Sequence, residues 1–209
     1  MIPKDIYEFF NQYQKKPNKS QSLDIFNQVN WSEVLFDKNL KPSEKVSELY
    51  LNRFGKIFKN MRNANSLRGS VFENLILSIF LINNIKPIYE QCTLQFVPNV
   101  RFDFILFESQ NKPIMLSLKT SLRERYKQVE LEAYYCKQVY KQAECIFISL
   151  DSEGVRAAEV KKNKYEVLYI DQFVVATEKK FDGLVKDLAN HDFQESGTFN
   201  VVKTGSLVT

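Results

Sequence analysis

Four residues carry most of the chemistry in this sequence: Asp103, Ser117, Lys119 and Glu132. Asp103 sits in the alternating segment RFDFILFES, and Ser117 and Lys119 close a second one, KPIMLSLK. Side chains alternate along a strand, so Met115, Ser117 and Lys119 share one face and Ile114, Leu116 and Leu118 the other. By the same rule Arg101, Asp103, Ile105 and Phe107 oppose Phe102, Phe104 and Leu106. If the two strands are neighbours, Asp103 and Lys119 stand side by side among apolar residues. Charges in that setting are costly unless they pair or bind something. A structural ion pair at a sheet edge meets that demand, and so does a functional site. Glu132 adds to the second reading. On the helix expected after Lys119 it shares a stripe with Gln128, Tyr135 and Val139, and that stripe is expected to face the sheet. Two carboxylates and a lysine on one face suit Mg²⁺, which takes a few oxygen ligands and keeps several waters. A cation held there lowers the pKa of a water and neutralises charge developing at phosphorus, while the lysine stabilises charge or helps activate the water. Glu73, in the apolar segment RGSVFENLI, reads either as a capping or salt-bridging partner of Arg68 or as a further ligand or orienting group.

The elements that must position these residues follow from periodicity. Up to about Asn65 the chain reads as helical: KDIYEFFNQY, SLDIFNQVNWSEVLF and SEKVSELYLNRFGKIFKNM place apolar residues at helical spacing, with Ser22 and Ser43 near the expected starts. SLRGSVFENLILSIFLINN is a longer helix, apolar around most of its circumference. The period then changes to that of strands at YEQCTLQFV, RFDFILFES and KPIMLSLK. A long helix is expected over Arg123–Gln142, a strand at ECIFISLD, and a helix or turn at SEGVRAAEVKKN. A strand at YEVLYID and a final helix over QFVVATEKKFDGLVKDLA follow. The tail from Asn190 is polar, with room for a short edge strand. The expected fold class is α/β: a mixed β-sheet of about five strands flanked by helices, with an N-terminal helical region over 1–65 and the sheet-bearing core over 66–209. The N-terminal helices read as a cap on the sheet, a dimer interface or a DNA contact.

Composition removes other classes. Hydrophobic residues at 44% and charged residues at 26% describe a globular chain, so disorder and disulfide scaffolds are excluded. No apolar run reaches the ~18–20 residues of a membrane span. Cys92, Cys136 and Cys145 are odd in number and lack CxxC spacing, which points to reduced thiols and a cytoplasmic setting. The single histidine, His191, excludes multi-histidine metal sites and most histidine-based acyl transfer. No phosphate-loop or dinucleotide glycine motif occurs. The net charge of +4 permits nucleic-acid binding without arguing for it.

Asp103, Ser117-x-Lys119 and Glu132 together resemble the PD-(D/E)xK nucleases. More narrowly they resemble the variant in which Ser or Thr replaces the carboxylate before the lysine and a glutamate on the following helix takes over. That variant occurs in type II restriction endonucleases of the EcoRII/NgoMIV kind, which cut sites containing CC and GG. The triplet Arg123-Glu124-Arg125, followed by YKQ, resembles the segment with which that branch reads neighbouring C·G pairs. Arginine suits bidentate contacts to guanine, and glutamate accepts from cytosine; taken alone the triplet also reads as a solvated helix start. The resemblance spans about Arg68–Asp151 and departs in having Phe102 where the family carries proline, and in the shortness of the chain. It implies a restriction-endonuclease-like fold and Mg²⁺-dependent cleavage of double-stranded DNA by a homodimer at a short palindrome. Asp103 and Glu132 would be metal ligands, with Lys119 at the water, Ser117 in support and Glu73 a further candidate. A repair or junction-resolving nuclease of the same fold, a non-catalytic DNA-binding module and a metabolic α/β protein are the alternatives. The lysine-rich runs VKKNKYE and TEKKFDGLVK read as solvated faces or as tracks along phosphates.

Overall fold

The computed structural model describes residues 3–13, 20–62, 64–97, 100–122, 126–197, 201–203 and 206–209. In chain order the helices are α1 (Ile6–Asn11), α2 (Gln21–Asn27), α3 (Trp31–Leu35), α4 (Pro42–Val46), a π-helical segment (Ser47–Phe54), α5 (Gly55–Phe58) and α6 (Asn65–Ile82). Strands β1 (Ile88–Leu94), β2 (Phe102–Ser109) and β3 (Lys112–Lys119) follow, then α7 (Tyr126–Val139), β4 (Glu144–Ser149), α8 (Ser152–Asn163), β5 (Gln172–Val175) and α9 (Lys179–Leu188). Two short strands, β6 (Val201–Lys203) and β7 (Ser206–Val208), lie in the tail. The chain divides into two compact units, one of Met1–Ile85 with Ala176–Ala189 and Thr209, the other of Lys86–Val175 with Asn190–Val208.

The first unit is helical and its core is aromatic. Phe9 meets Trp31 edge-on at 5.6 Å, Phe26 meets Phe54 at 4.8 Å and Tyr50 meets Phe72 at 5.6 Å. Such geometries add to the burial of these large rings. The expected helix over SLDIFNQVNWSEVLF is two helices, because the Asn27 side chain accepts from the Ile6 N–H at 3.0 Å and the Asn30 carbonyl turns out to meet Arg53. The start of α2 is capped by Ser20, whose Oγ accepts from Leu23 N–H. Ser22 and Ser43 lie next to the starts of α2 and α4, as expected, and Ser43 has a further role. It lies inside α4 and donates both its N–H and its hydroxyl to Asp182 of α9, at 2.8 and 3.0 Å.

The second unit is built on a mixed sheet in the order β5-β4-β3-β2-β1, with β6 and β7 both antiparallel to β1. β1, β2 and β3 form an antiparallel meander, with Phe104 opposite Leu116 and Ile105 opposite Met115. β3, β4 and β5 are parallel, so each step needs a crossover, and α7 and α8 supply them. One face of the sheet gathers Ile105, Phe107, Met115, Phe147 and Phe173 with Val129, Ala133 and Cys136 of α7 and Val155 and Ala158 of α8. Asp103, Ser117 and Lys119 belong to this face by alternation.

Two sequence expectations change here. YEVLYID is an irregular segment, not a strand, because the backbone N–H groups a ladder would use are taken by a side chain: Glu130 of α7 accepts from Leu168, Tyr169 and Ile170 at 2.5–3.1 Å. QFVV, expected to open the last helix, is instead β5, with Ile146 opposite Gln172 and Ser149 opposite Val175. Its β-branched and aromatic residues suit a strand, here the one at the edge of the sheet beside β4, and α9 begins only at Lys179.

Candidate active site

The strand register decides what meets Asp103. Continuing the β2–β3 pairing by one residue sets Asp103 opposite Ser117, with Lys119 diagonal to it on the same face. Asp103 Oδ2 accepts from the Leu118 N–H at 2.7 Å and from Lys119 Nζ at 2.8 Å. Asp103 Oδ1 accepts from Gln91 Nε2 of β1 at 3.2 Å. The aspartate is therefore buried but served by three donors from β1 and β3, the condition for keeping a charge in such a place. Ser117 is buried beside it. Lys119 ends β3, opposite Ser149 of β4, where the sheet edge opens and the long side chain can emerge while its head reaches back to the carboxylate.

Glu132 approaches the pair from α7, half-buried. Burial pushes its carboxyl pKa up; the hydrogen bond from Gln128 Nε2, at 2.8 Å on Oε1, and the charge of Lys119 pull it down, while Asp103 raises it again. Glu132 thus lies close enough to feel the charges of both Lys119 and Asp103. The stripe of Gln128, Glu132, Tyr135 and Val139, however, does not face the sheet. The face α7 turns to the core is Tyr126, Val129, Ala133 and Cys136; Gln128, Tyr135 and Val139 are exposed, and Glu132 lies on the flank between the two faces.

The arrangement leaves acceptors for a hard cation. Among the described residues, Glu132 Oε2 has no donor, and Asp103 Oδ1 has one, with an acceptor position to spare. Also among the described residues, no group of three or more His, Cys, Asp or Glu side chains is arranged to hold a metal ion. Two carboxylates, with water completing the shell, would suit Mg²⁺ and not a closed Zn²⁺ site. The cysteines offer no rival chemistry: all three are buried and free, and burial pushes the Cys136 thiol up to about 12, far from a reactive thiolate.

Of the other expected residues, Glu73 lies half-buried in α6, in the helical unit, while Asp103, Ser117, Lys119 and Glu132 belong to the sheet unit. Arg123, Glu124 and Arg125 lie outside the described residues. The chain on either side of them is firmly held. Leu122 N–H donates to Asp151 Oδ2 at 3.0 Å, and Tyr126 Oη accepts from Lys161 Nζ at 2.5 Å. Asp151 also caps α8 through Gly154 N–H, and a Cβ on Gly154 would fall 2.7 Å from both Leu122 Cβ and Asp151 Oδ2. In the run VKKNKYE, Lys161 is thus engaged by Tyr126, and Lys162 donates to the Ile170 carbonyl.

Gln91 and Asp151 were not singled out by sequence. Nothing in the spacing of YEQCTLQFV marks Gln91; only the β1–β2 register sets it across from Asp103.

No protein-family model and no curated protein sequence matches the chain. Among solved structures the chain is similar to a restriction endonuclease, PspGI, described in complex with its substrate DNA. The TM-score is 0.56 at 14% sequence identity, and the match covers 85% of this chain and 82% of that one. The fold is restriction-endonuclease-like: a mixed sheet flanked by helices, with a helical N-terminal region.

Proposed function

We propose that this protein is a Mg²⁺-dependent endonuclease that hydrolyses phosphodiester bonds in double-stranded DNA, of the type II restriction kind. The observation that supports this reading most is the convergence of Asp103, Lys119 and Glu132 at the open end of β3. The likeness in fold to a restriction endonuclease solved with substrate DNA supports the same substrate class.

In this reading Asp103 and Glu132 would hold the cation, and Ser117 would support them by hydrogen bonding. Mg²⁺ supplies a water of lowered pKa and a counter-charge for the phosphoryl oxygens. Lys119, anchored on Asp103 Oδ2, keeps further N–H donors that would orient the attacking water or offset charge at the phosphate. Water adds to phosphorus, one P–O bond to the sugar breaks, and the departing oxygen takes a proton. Glu73 is a further candidate for orienting a ligand. Arg123, Glu124 and Arg125 read base edges, favouring a short palindrome containing CC/GG, and a two-fold target calls for a homodimer working in the cytoplasm.

The test is cleavage of plasmid DNA by the purified protein with Mg²⁺, beside Lys119→Ala and Glu132→Ala. Discrete fragments from the wild type alone are expected. Random nicking would point to a repair nuclease of the same fold, and DNA binding without cutting would remove the enzyme reading.

A further inference from the structure

Gln91 combines two features that belong together. In β1 it stands directly across from Asp103, between the pairs Glu90–Phe104 and Cys92–Phe102. Its backbone has φ +52°, the left-handed region, which side chains with a Cβ rarely adopt and which glycine adopts freely. This is not a turn: the β1–β2 register runs through it without a shift. The backbone is held there by neighbours, since the Gln91 carbonyl accepts from Arg101 Nε at 3.1 Å, and its amide is delivered onto Asp103 Oδ1 at 3.2 Å. Uncommon backbone kept in place by its surroundings concentrates at functional sites.

The lone pairs of Asp103 give that contact a consequence. A carboxylate oxygen has two acceptor positions, and both on Oδ2 are used, by Leu118 N–H and Lys119 Nζ. Among the described residues this leaves one open position on Oδ1 at which a cation can meet this carboxylate, and the Gln91 amide determines which position that is. We propose that Gln91 is a positioning residue of the site, its left-handed backbone serving to place the amide so that Asp103 presents a single oriented lone pair to a divalent cation. The proposal rests on the reading of Asp103 as a cation ligand.

Such partners of a ligand typically govern affinity by about ten- to a hundred-fold. Binding of Mn²⁺ alone, without DNA, is measured by electron paramagnetic resonance of the free ion, beside the Mg²⁺ dependence of plasmid cleavage. Gln91→Gly is expected to bind Mn²⁺ at least ten-fold more weakly than wild type and to need correspondingly more Mg²⁺ for half-maximal cleavage. Its maximal rate recovers at saturation, and the stability lost with the Asp103 hydrogen bond is partly offset, because glycine accepts φ +52°. Gln91→Ala is expected to share the metal defect and to melt lower than Gln91→Gly, which reports the backbone at φ +52°; a merely structural glutamine would leave Mn²⁺ affinity unchanged in both. Should Gln91→Gly fail to fold, Gln91→Asn, which tolerates the backbone but stops a methylene short, is read in the same assays with the same expected weakening. Wild-type Mn²⁺ affinity in the folded variant, with a wild type that cuts DNA, overturns this inference and leaves the nuclease reading standing. A wild type that neither binds Mn²⁺ nor cuts overturns both.

Discussion

Lys119 reaches Asp103 at 2.8 Å and Lys137 reaches Asp171 at 2.6 Å, two pairs of the same residue types in the same sheet unit. Their surroundings differ. Asp171 turns both oxygens to Lys137 and takes the Cys145 N–H as well, which ties α7 to β4. There the carboxylate is the outer partner, 36% exposed against 19% for the lysine. At Asp103 the order is reversed: the carboxylate is 10% exposed, the lysine 28%, and one acceptor position is left open beside a second carboxylate. The same contrast separates Glu130 and Glu132, two residues apart on α7. Glu130 is saturated by three backbone N–H groups, whereas among the described residues Glu132 holds the Gln128 amide alone. The first pattern is that of a structural staple, and the second is the one expected of a functional site.

Removing each lysine breaks or sharpens that contrast. Lys119→Ala is expected to lower plasmid cleavage by about 10²–10⁴-fold, the range for losing a group that acts on the proton or charge of the reaction. Lys137→Ala should leave cleavage within a few-fold of wild type. Both lose a partner of a partly buried carboxylate, so both should unfold more easily, by about 1–3 kcal/mol in urea titrations. Equal losses of cleavage in the two variants would erase the distinction drawn here.

The next effect is one of stability. Glu130→Ala strands the N–H groups of Leu168, Tyr169 and Ile170, and should cost about 1–3 kcal/mol, seen as a drop of several degrees in melting temperature. Cleavage at room temperature should hardly change. Were it to fall as far as in Glu132→Ala, Glu130 would have to be counted with the site.

How much of this could be read from the sequence depends on the range of the interaction. Asp103, Ser117 and Lys119 were legible because alternation along a strand is a local rule, and the structure brings them together as that rule requires. Glu132 was reached by a stripe that the structure does not support. Helical spacing proposes several faces, and only the packing of Val129, Ala133 and Cys136 against the sheet selects one. YEVLYID carries every local mark of a strand, yet Glu130, some forty residues earlier, takes its N–H groups, a long-range contact with no trace in the segment itself. QFVV and the role of Gln91 were hidden for the same reason: each depends on which strand lies alongside.

The smallest effect tests Glu132 by pH. Burial raises its carboxyl above the ordinary glutamate range, with Gln128 and Lys119 opposing and Asp103 assisting. A carboxyl raised in the folded state binds its proton more tightly there than in the unfolded chain. Its contribution to stability is thus fully present below the unfolded glutamate pKa and is lost as pH rises through the higher folded value. Glu132→Gln, which stays neutral and keeps an oxygen for the Gln128 amide, should match the wild type in urea unfolding at acid pH and exceed it slightly at neutral pH. Added Mg²⁺ should narrow that gap by stabilising the wild type alone. A variant less stable than wild type at neutral pH would mean that Lys119 already satisfies Glu132, and the Asp103 corner would then be a second staple of the Lys137–Asp171 kind.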